Sequence, residues 1–287
     1  MSSLIGIRRR IRSTKNIRQI TKAMQMVSAS KMRRAQEAAL ATRPFTDKLR
    51  SILTRVSDAR STQVNHALTQ VRPLHKILVI LVSTSKGLCG GLNVNLQRGF
   101  VSFAAEHPSA TIAVATVGRK ARWVLPNRDT NLVARFDTLG ETPTFVETRA
   151  VAGYAMTSFL DGTFDAVFLA YPKFISTLTN EVAVDQLLPI APTLTADNVV
   201  SSMEYTIEPD PVSLLTTLLP YQVEMSFHQA VLEARATEHS ARMVAMKNAS
   251  DNARDLITNL TLDYNSARQS QVTSELLDVT TARMALE

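Results

Sequence analysis

The sequence predicts α/β plus a long antiparallel coiled coil, and three observations predict it. Residues 4–58 carry apolar side chains at helical spacing with no strand-like alternation. From Tyr221 to Leu286 there is neither Pro nor Gly. Between these ends, short β-branched runs alternate with helical patterns, which is how a mostly parallel sheet is written.

The first helix is read from Ile7, Ile11, Ile17, Ile20, Met24 and Val27, continued by Ala35, Ala38, Phe45, Leu49, Ile52 and Val56. The gaps of three and four make a narrow seam rather than a broad core face. A lone helix of this length, roughly 80 Å at ~1.5 Å per residue, has no core in which to bury that seam, so it needs a partner. Pro44 predicts a kink or local loosening. The partner is the other end. Glu208-Pro209-Asp210-Pro211 breaks the chain and Pro220 offers a helix start. Leu232, Ala236, His239, Met243, Met246, Ala249, Ala253, Leu256, Leu260, Tyr264 and Ala267 then form one seam, rich enough in alanine for close approach. Taken at these lengths, the second helix outruns the first by about ten residues. The expected organisation is 1–60 for the first helix, 73–207 for the α/β domain and 209–287 for the second helix.

In the middle, Lys76–Val82 reads as a buried strand, followed by a helix over Asn93–Glu106, a strand over Ala110–Val117 and a short helix over Gly118–Leu125. Strands over Asn131–Phe136, Asp165–Tyr171 and Val182–Leu188 follow, with a helix from Pro143 to Leu160 between the first two.

Charge is unevenly placed. Residues 1–50 hold thirteen Lys/Arg against two acids, whereas residues 209–287 hold six against ten. A basic end and an acidic end attract one another, or meet different partners. The run Arg8-Arg9-Arg10-Ile11-Arg12 offers an alternative reading, a nucleic-acid-binding coiled-coil protein whose affinity would fall steeply with salt. No aromatics interleave with that run, and its apolar neighbours keep coiled-coil spacing, so no nucleic acid is expected.

Gly87-Leu88-Cys89-Gly90-Gly91-Leu92-Asn93 follows a strand and opens a helix, where α/β proteins place phosphate turns. It matches neither G-x-x-x-x-G-K-[ST] nor G-x-G-x-x-G, so a packed tight turn is expected and no cofactor. Cys89 is the single cysteine, which excludes an internal disulfide; it reads as a small buried hydrophobe. The five histidines are scattered without metal-ligand spacing. Met24, Met26, Met32, Met243 and Met246 read as packing. No apolar run approaches the ~18 residues of a membrane span, and Met1-Ser2-Ser3-Leu4 lacks the apolar core of a signal peptide.

Three stretches stand out: Ile11-Arg12-Ser13-Thr14-Lys15-Asn16-Ile17-Arg18-Gln19-Ile20-Thr21-Lys22-Ala23-Met24-Gln25-Met26-Val27-Ser28-Ala29-Ser30-Lys31-Met32, the glycine turn, and Glu238-His239-Ser240-Ala241-Arg242-Met243 through Asn265-Ser266-Ala267-Arg268-Gln269 to Val272-Thr273-Ser274-Glu275-Leu276. Together they resemble the gamma subunit of F-type ATP synthases. The resemblance implies a shaft of the two terminal helices with a Rossmann-like α/β domain at its foot. It implies three alpha and three beta subunits around one copy, an epsilon subunit and a membrane c-ring as partners, and catalysis in beta rather than in this chain. It assigns beta contacts to Met24, Arg242, Arg268, Gln269 and Thr273, and c-ring or foot contacts to Tyr205 and Glu208. It also implies a peripheral place on the cytoplasmic side of a bacterial inner membrane, or on the matrix side of the mitochondrial one. Ser85-Lys86 departs from the family, which commonly has an acid before the basic residue, and Thr281-Ala282-Arg283 departs from its usual Ser-Gly-Ala end. The cysteine pair of the chloroplast branch is impossible with Cys89 alone.

Overall fold

The computed structural model describes residues 4–58, 66–125, 131–177, 179–190 and 211–284. Helix α1 spans Leu4–Asp58, as its apolar spacing predicts, and Pro44 lies inside it. The alternating middle gives β1 (Lys76–Val82), α2 (Leu92–Glu106), β2 (Thr111–Val117), β3 (Asn131–Phe136), α3 (Phe145–Leu160), β4 (Ala166–Phe174) and β5 (Asn180–Leu188). The short helix expected after β2 is a single 3-10 turn, Ala121–Trp123. Helix α4 spans Pro211–Met284. The chain forms two compact units, one of Met1–Ala29 with Arg242–Glu287, the other of Ser30–Ala241.

In the Ser30–Ala241 unit the strand order is β3-β2-β1-β4-β5. The first four strands are parallel and β5 is antiparallel to β4. β1 is buried on both faces because it is central. Its alternate residues serve two cores, as the pleat requires. Ile77, Val79 and Leu81 meet Leu96, Phe100 and Phe103 of α2. Leu78, Ile80 and Val82 belong with Val151, Ala155 and Phe159 of α3 and with Leu215, Leu219, Val223, Phe227 and Val231 of α4. Gly99 lets α2 lie close on β5, since a Cβ there would stand 2.6 Å from Val182 Cγ1. Thr144 and Glu147 close a capping box that starts α3.

Helix α4 begins ten residues before the expected Tyr221, and Pro220 is internal rather than initial. A proline within a helix costs ~3 kcal/mol. Leu215, Leu219 and Val223 are all buried in the sheet core around it, and burying each contributes ~1.5–3 kcal/mol, so packing carries the helix through. Pro211 takes the first helical position instead, where its missing N–H is not needed.

Phe45 meets Tyr221 edge-on at 5.9 Å. Further back along α1, Gln229 Nε2 donates to the Ala39 carbonyl at 3.2 Å, and Thr42 hydrogen-bonds the Gln229 side chain. α1 therefore descends in number as α4 ascends, so the two are antiparallel. Arg43 pairs with Glu233 at 3.1 Å. His228 of α4 is buried, lies 2.9 Å from Thr148 Oγ1 of α3, and stands edge-on to Phe145.

Burial holds the His228 imidazolium below its ordinary 6.5, because the charged ring is poorly solvated there. The folded pKa is depressed, so this contribution is present above pH 6.5 and lost as pH falls below it. We expect thermal melts of the chain between pH 8 and 5 to lose stability more steeply than those of His228→Gln. Parallel slopes would contradict it.

In the other unit, α1 buries Ile7, Thr14, Thr21 and Ser28 at a strict spacing of seven, with Leu4, Ile11 and Met24 half-buried between them. Helix α4 answers with Met246, Ser250, Ala253, Ile257, Leu260, Tyr264 and Ala267, each buried or half-buried, in gaps of four and three. The expected seams hold at Ile7, Ile11 and Met24 of α1 and at Met246, Ala253, Leu260, Tyr264 and Ala267 of α4, and are corrected between these positions. Ile17, Ile20 and Val27 are 52%, 59% and 55% exposed, and Leu256 is exposed while Ile257 packs. Thr14 and Thr21 fit a seam because their hydroxyls donate back to the Arg10 and Ile17 carbonyls, at 2.9 and 3.1 Å. That leaves their methyl groups to pack. The expected match of a basic face to an acidic face is not what fills this seam; Arg8, Arg9, Arg10, Arg12, Lys15, Arg18 and Lys22 are exposed.

The overhang is longer than the expected ten residues. Every residue from Arg268 to Met284 is exposed, a stretch of roughly 25 Å at ~1.5 Å per residue. The seam positions beyond Ala267 are Gln271, Ser274, Asp278 and Thr281.

Candidate functional site

The residues assigned to beta contacts all lie in the unit formed by the helix ends. Met24 is half-buried against the seam and Arg242 is buried. Arg268, Gln269 and Thr273 are exposed, and Thr273 Oγ1 donates to the Gln269 carbonyl at 2.9 Å. Gln269 and Thr273 are four residues apart, which sets them on one helix face. Val272, Leu276 and Val279 form the neighbouring apolar stripe, all exposed. This end of α4 offers fixed hydrogen-bonding groups beside an apolar strip. Tyr205 and Glu208 lie outside the described residues.

The glycine turn occupies the loop after β1, between the neighbours β2 and β4. It is held by its own side chains. Asn93 Nδ2 donates to Thr84 Oγ1 at 2.9 Å and reaches Cys89 Sγ at 3.9 Å. Leu88 and Gly90 take positive φ, 63° and 60°, and Leu88 is turned outward. Cys89 is buried, as a small hydrophobe would be. The loop after β2 is tied to it by the Lys120 N–H donating to the Thr84 carbonyl at 3.0 Å. Gly118 permits that turn: its φ is 96°, and a Cβ would stand 2.6 Å from the Ser83 carbonyl.

Lys86 does form an ion pair, with a partner that no local pattern signals. Its ammonium meets one oxygen of Glu141, and Lys31 of α1 meets the other. The hydrogen bonds from Lys31 and then Lys86 pull the Glu141 carboxyl down to about 2. The carboxylate therefore stays charged well below its ordinary 4.5, and the stability it adds is present in full above pH 4.5 and lost as pH falls towards 2. A second pair missed by sequence reasoning is buried: Arg235 and Glu238 meet at 2.8 Å, and Arg235 Nη2 also donates to the Leu139 carbonyl at 3.4 Å. Among the described residues no group of His, Cys, Asp and Glu is arranged to hold a metal, and no helix is long and apolar enough to cross a membrane.

Comparison with known proteins places this architecture. The family described as ATP synthase matches residues 3–286. The ATP synthase gamma chain of Dehalococcoides mccartyi is 40% identical over 287 residues, covering all of both chains. That of Pelotomaculum thermopropionicum is 41% identical with the same full coverage. Among solved structures, a chain of the central stalk and c-ring of the Tetrahymena thermophila mitochondrial ATP synthase superimposes with a TM-score of 0.60 at 28% identity, over 80% of this chain and 99% of that one. With long terminal helices, a Rossmann-like sheet between them and relatives matched from end to end, the chain belongs to the ATP synthase gamma-subunit family.

Proposed function

We propose that this chain is the central rotor shaft of a rotary ATP synthase. In this reading it transmits rotation of a membrane c-ring to a head of three alpha and three beta subunits, coupling ion translocation to ATP synthesis or hydrolysis. It is a non-catalytic subunit, and the chemistry resides in beta. The observation that carries the reading is the exposed end of α4, Arg268–Met284, in a chain of this family. An apolar stripe that the chain's own helices leave uncovered needs a surrounding surface, and a head that encloses it provides one. Arg268, Gln269 and Thr273 would meet beta there, with Met24 and Arg242 further down the coiled coil. Tyr205 and Glu208 would face the c-ring, and epsilon would bind at the foot. The basic α1 suits acidic loops on beta. The complex would hold the chain on the cytoplasmic side of a bacterial inner membrane.

Purification of the native complex tests this. The chain should emerge with alpha and beta at about one copy to three of each. Recovery as a free protein, or bound to nucleic acid, would overturn it.

Arg268→Ala should then weaken coupling more than folding. The guanidinium is exposed within the chain, so its loss costs the fold within about 0.5 kcal/mol. Its charge-assisted hydrogen bonds to a partner would be worth about 1.5–3 kcal/mol each. ATP-driven ion pumping should fall while the melting temperature holds. A large melting shift with normal pumping would contradict it.

A further inference from the structure

The segment between β3 and α3 touches both long helices. All the residues concerned lie within the Ser30–Ala241 unit. The segment is anchored upstream by Arg135 with Asp137 at 2.5 Å, and downstream by the capping box of Thr144 with Glu147. Between these anchors the Leu139 side chain is buried, and the Leu139 carbonyl accepts from Arg235 of α4. Two residues on, Glu141 takes Lys31 of α1 on one carboxylate oxygen and Lys86 of the glycine turn on the other. Two positions of this short segment, Leu139 and Glu141, therefore reach α4, α1 and the loop after β1.

The apolar core between α4 and the sheet is large, but apolar attraction is non-directional. A carboxylate with one ammonium on each oxygen fixes two positions at once. The three carriers of this cluster are half-exposed or nearly so, so each pair shifts an equilibrium by about fivefold at most. That is too little to decide whether the unit folds. It is enough to decide how firmly the sheet domain and the helices keep one arrangement under load.

We infer that Leu139–Glu141 is the joint that makes the sheet domain and the two long helices turn together, with Glu141 as its positioning residue. The inference rests on the rotor reading above, because only a part that carries torque needs such a joint. Beside the shared apolar core, torque entering through the α/β domain passes to α1 by Lys31 and to α4 by Arg235. Without the Glu141 carboxylate the polar link to α1 is gone and the turn loses its anchor, which leaves α1 only the apolar contacts of Leu49 and Leu53 with the sheet core, so the joint yields under load.

The test uses the whole complex reconstituted in vesicles, with ATP hydrolysis and ATP-driven ion pumping measured on the same preparation. Glu141→Gln should assemble and hydrolyse ATP at close to the wild-type rate, while ions pumped per ATP fall by about two- to fivefold, the range open to half-exposed pairs. Glu141→Asp, which keeps the charge, should recover most of the loss. Lys31→Gln added to Glu141→Gln should lower the ratio no further. An unchanged ratio in Glu141→Gln overturns the inference. So does a loss that Glu141→Asp does not rescue, or one matched by equal losses of assembly and hydrolysis, which would mark a structural contact only. If Glu141→Gln fails to assemble, Lys86→Gln decides: a normal ratio in it overturns the joint, and a lowered one supports it. Failure of the rotor reading looks different, since the wild-type chain would then neither purify with alpha and beta nor support pumping.

Discussion

Phe227→Ala should cost about 3–5 kcal/mol, the range for emptying a buried aromatic site, and should lower the melting temperature of the chain by about 10 °C at ~2–4 °C per kcal/mol. Phe227 is fully buried on α4 and belongs to the cluster that holds Leu78, Ile80 and Val82 of β1 with Phe159 of α3. Its ring is where the long helix is seated on the sheet, so truncation leaves a cavity that rigid neighbours on β1 and α3 do not close. Phe45→Ala is the control. That ring is half in solvent and meets Tyr221 edge-on, and an aromatic pair of this kind is worth ~0.5–1.5 kcal/mol beyond its burial. Circular dichroism melts of the two variants separate the cases. A Phe227→Ala shift no larger than that of Phe45→Ala would mean that α4 is not fixed in the sheet core.

The elements most legible in the sequence were those whose local pattern and tertiary role agree. β1 is central and buried on both faces, so Lys76–Val82 is apolar without interruption. α1 has no competing break, and its bounds follow from spacing alone. The misread elements are those where a local rule lost to packing. Pro220 reads as a helix start, yet Leu215 and Leu219 ahead of it are drawn into the sheet core and extend the helix back to Pro211. Ile17, Ile20 and Val27 read as the seam because they are the apolar residues. The observed seam uses Thr14, Thr21 and Ser28, whose small side chains allow close packing once the threonine hydroxyls turn back on the helix. The expected mostly parallel sheet holds for β1 to β4, while β5 follows β4 with no helix between them and returns antiparallel. The Glu141 cluster joins positions 110 and 55 residues apart, and a single sequence carries no local mark of such a pair. Arg268, Gln269 and Thr273 came from the family resemblance. The structure adds that they stand on a helix end exposed along its whole length.

Deleting Leu277 to Glu287 should leave the melting temperature of the chain unchanged, whereas deleting Leu4 to Lys15 should lower it. The first deletion removes Leu277, Val279 and Met284, which are exposed, from a helix whose last packed residue is Ala267. Surface positions of this kind change stability by about 0.5 kcal/mol or less. The second removes Ile7 and Thr14, buried against the seam, with half-buried Ile11 between them. Burial of one such aliphatic side chain contributes ~1.5–3 kcal/mol, so the helix ends would fray for several turns. It also strips Arg8, Arg9, Arg10, Arg12 and Lys15, all exposed and available to an acidic partner. In the assembled complex the order should be the same. In the proposed rotor the exposed end of α4 would turn against several head subunits in succession, each of its contacts would be replaceable, and its deletion should leave an assembled complex with reduced but measurable ATPase. The amino-terminal deletion damages the coiled coil itself and should be worse in both yield and rate. Assembly yield and ATPase rate for the two truncations, measured side by side, decide it. If the carboxy-terminal deletion abolishes assembly while the amino-terminal one is tolerated, the exposed end is an obligatory socket contact and not a turning one.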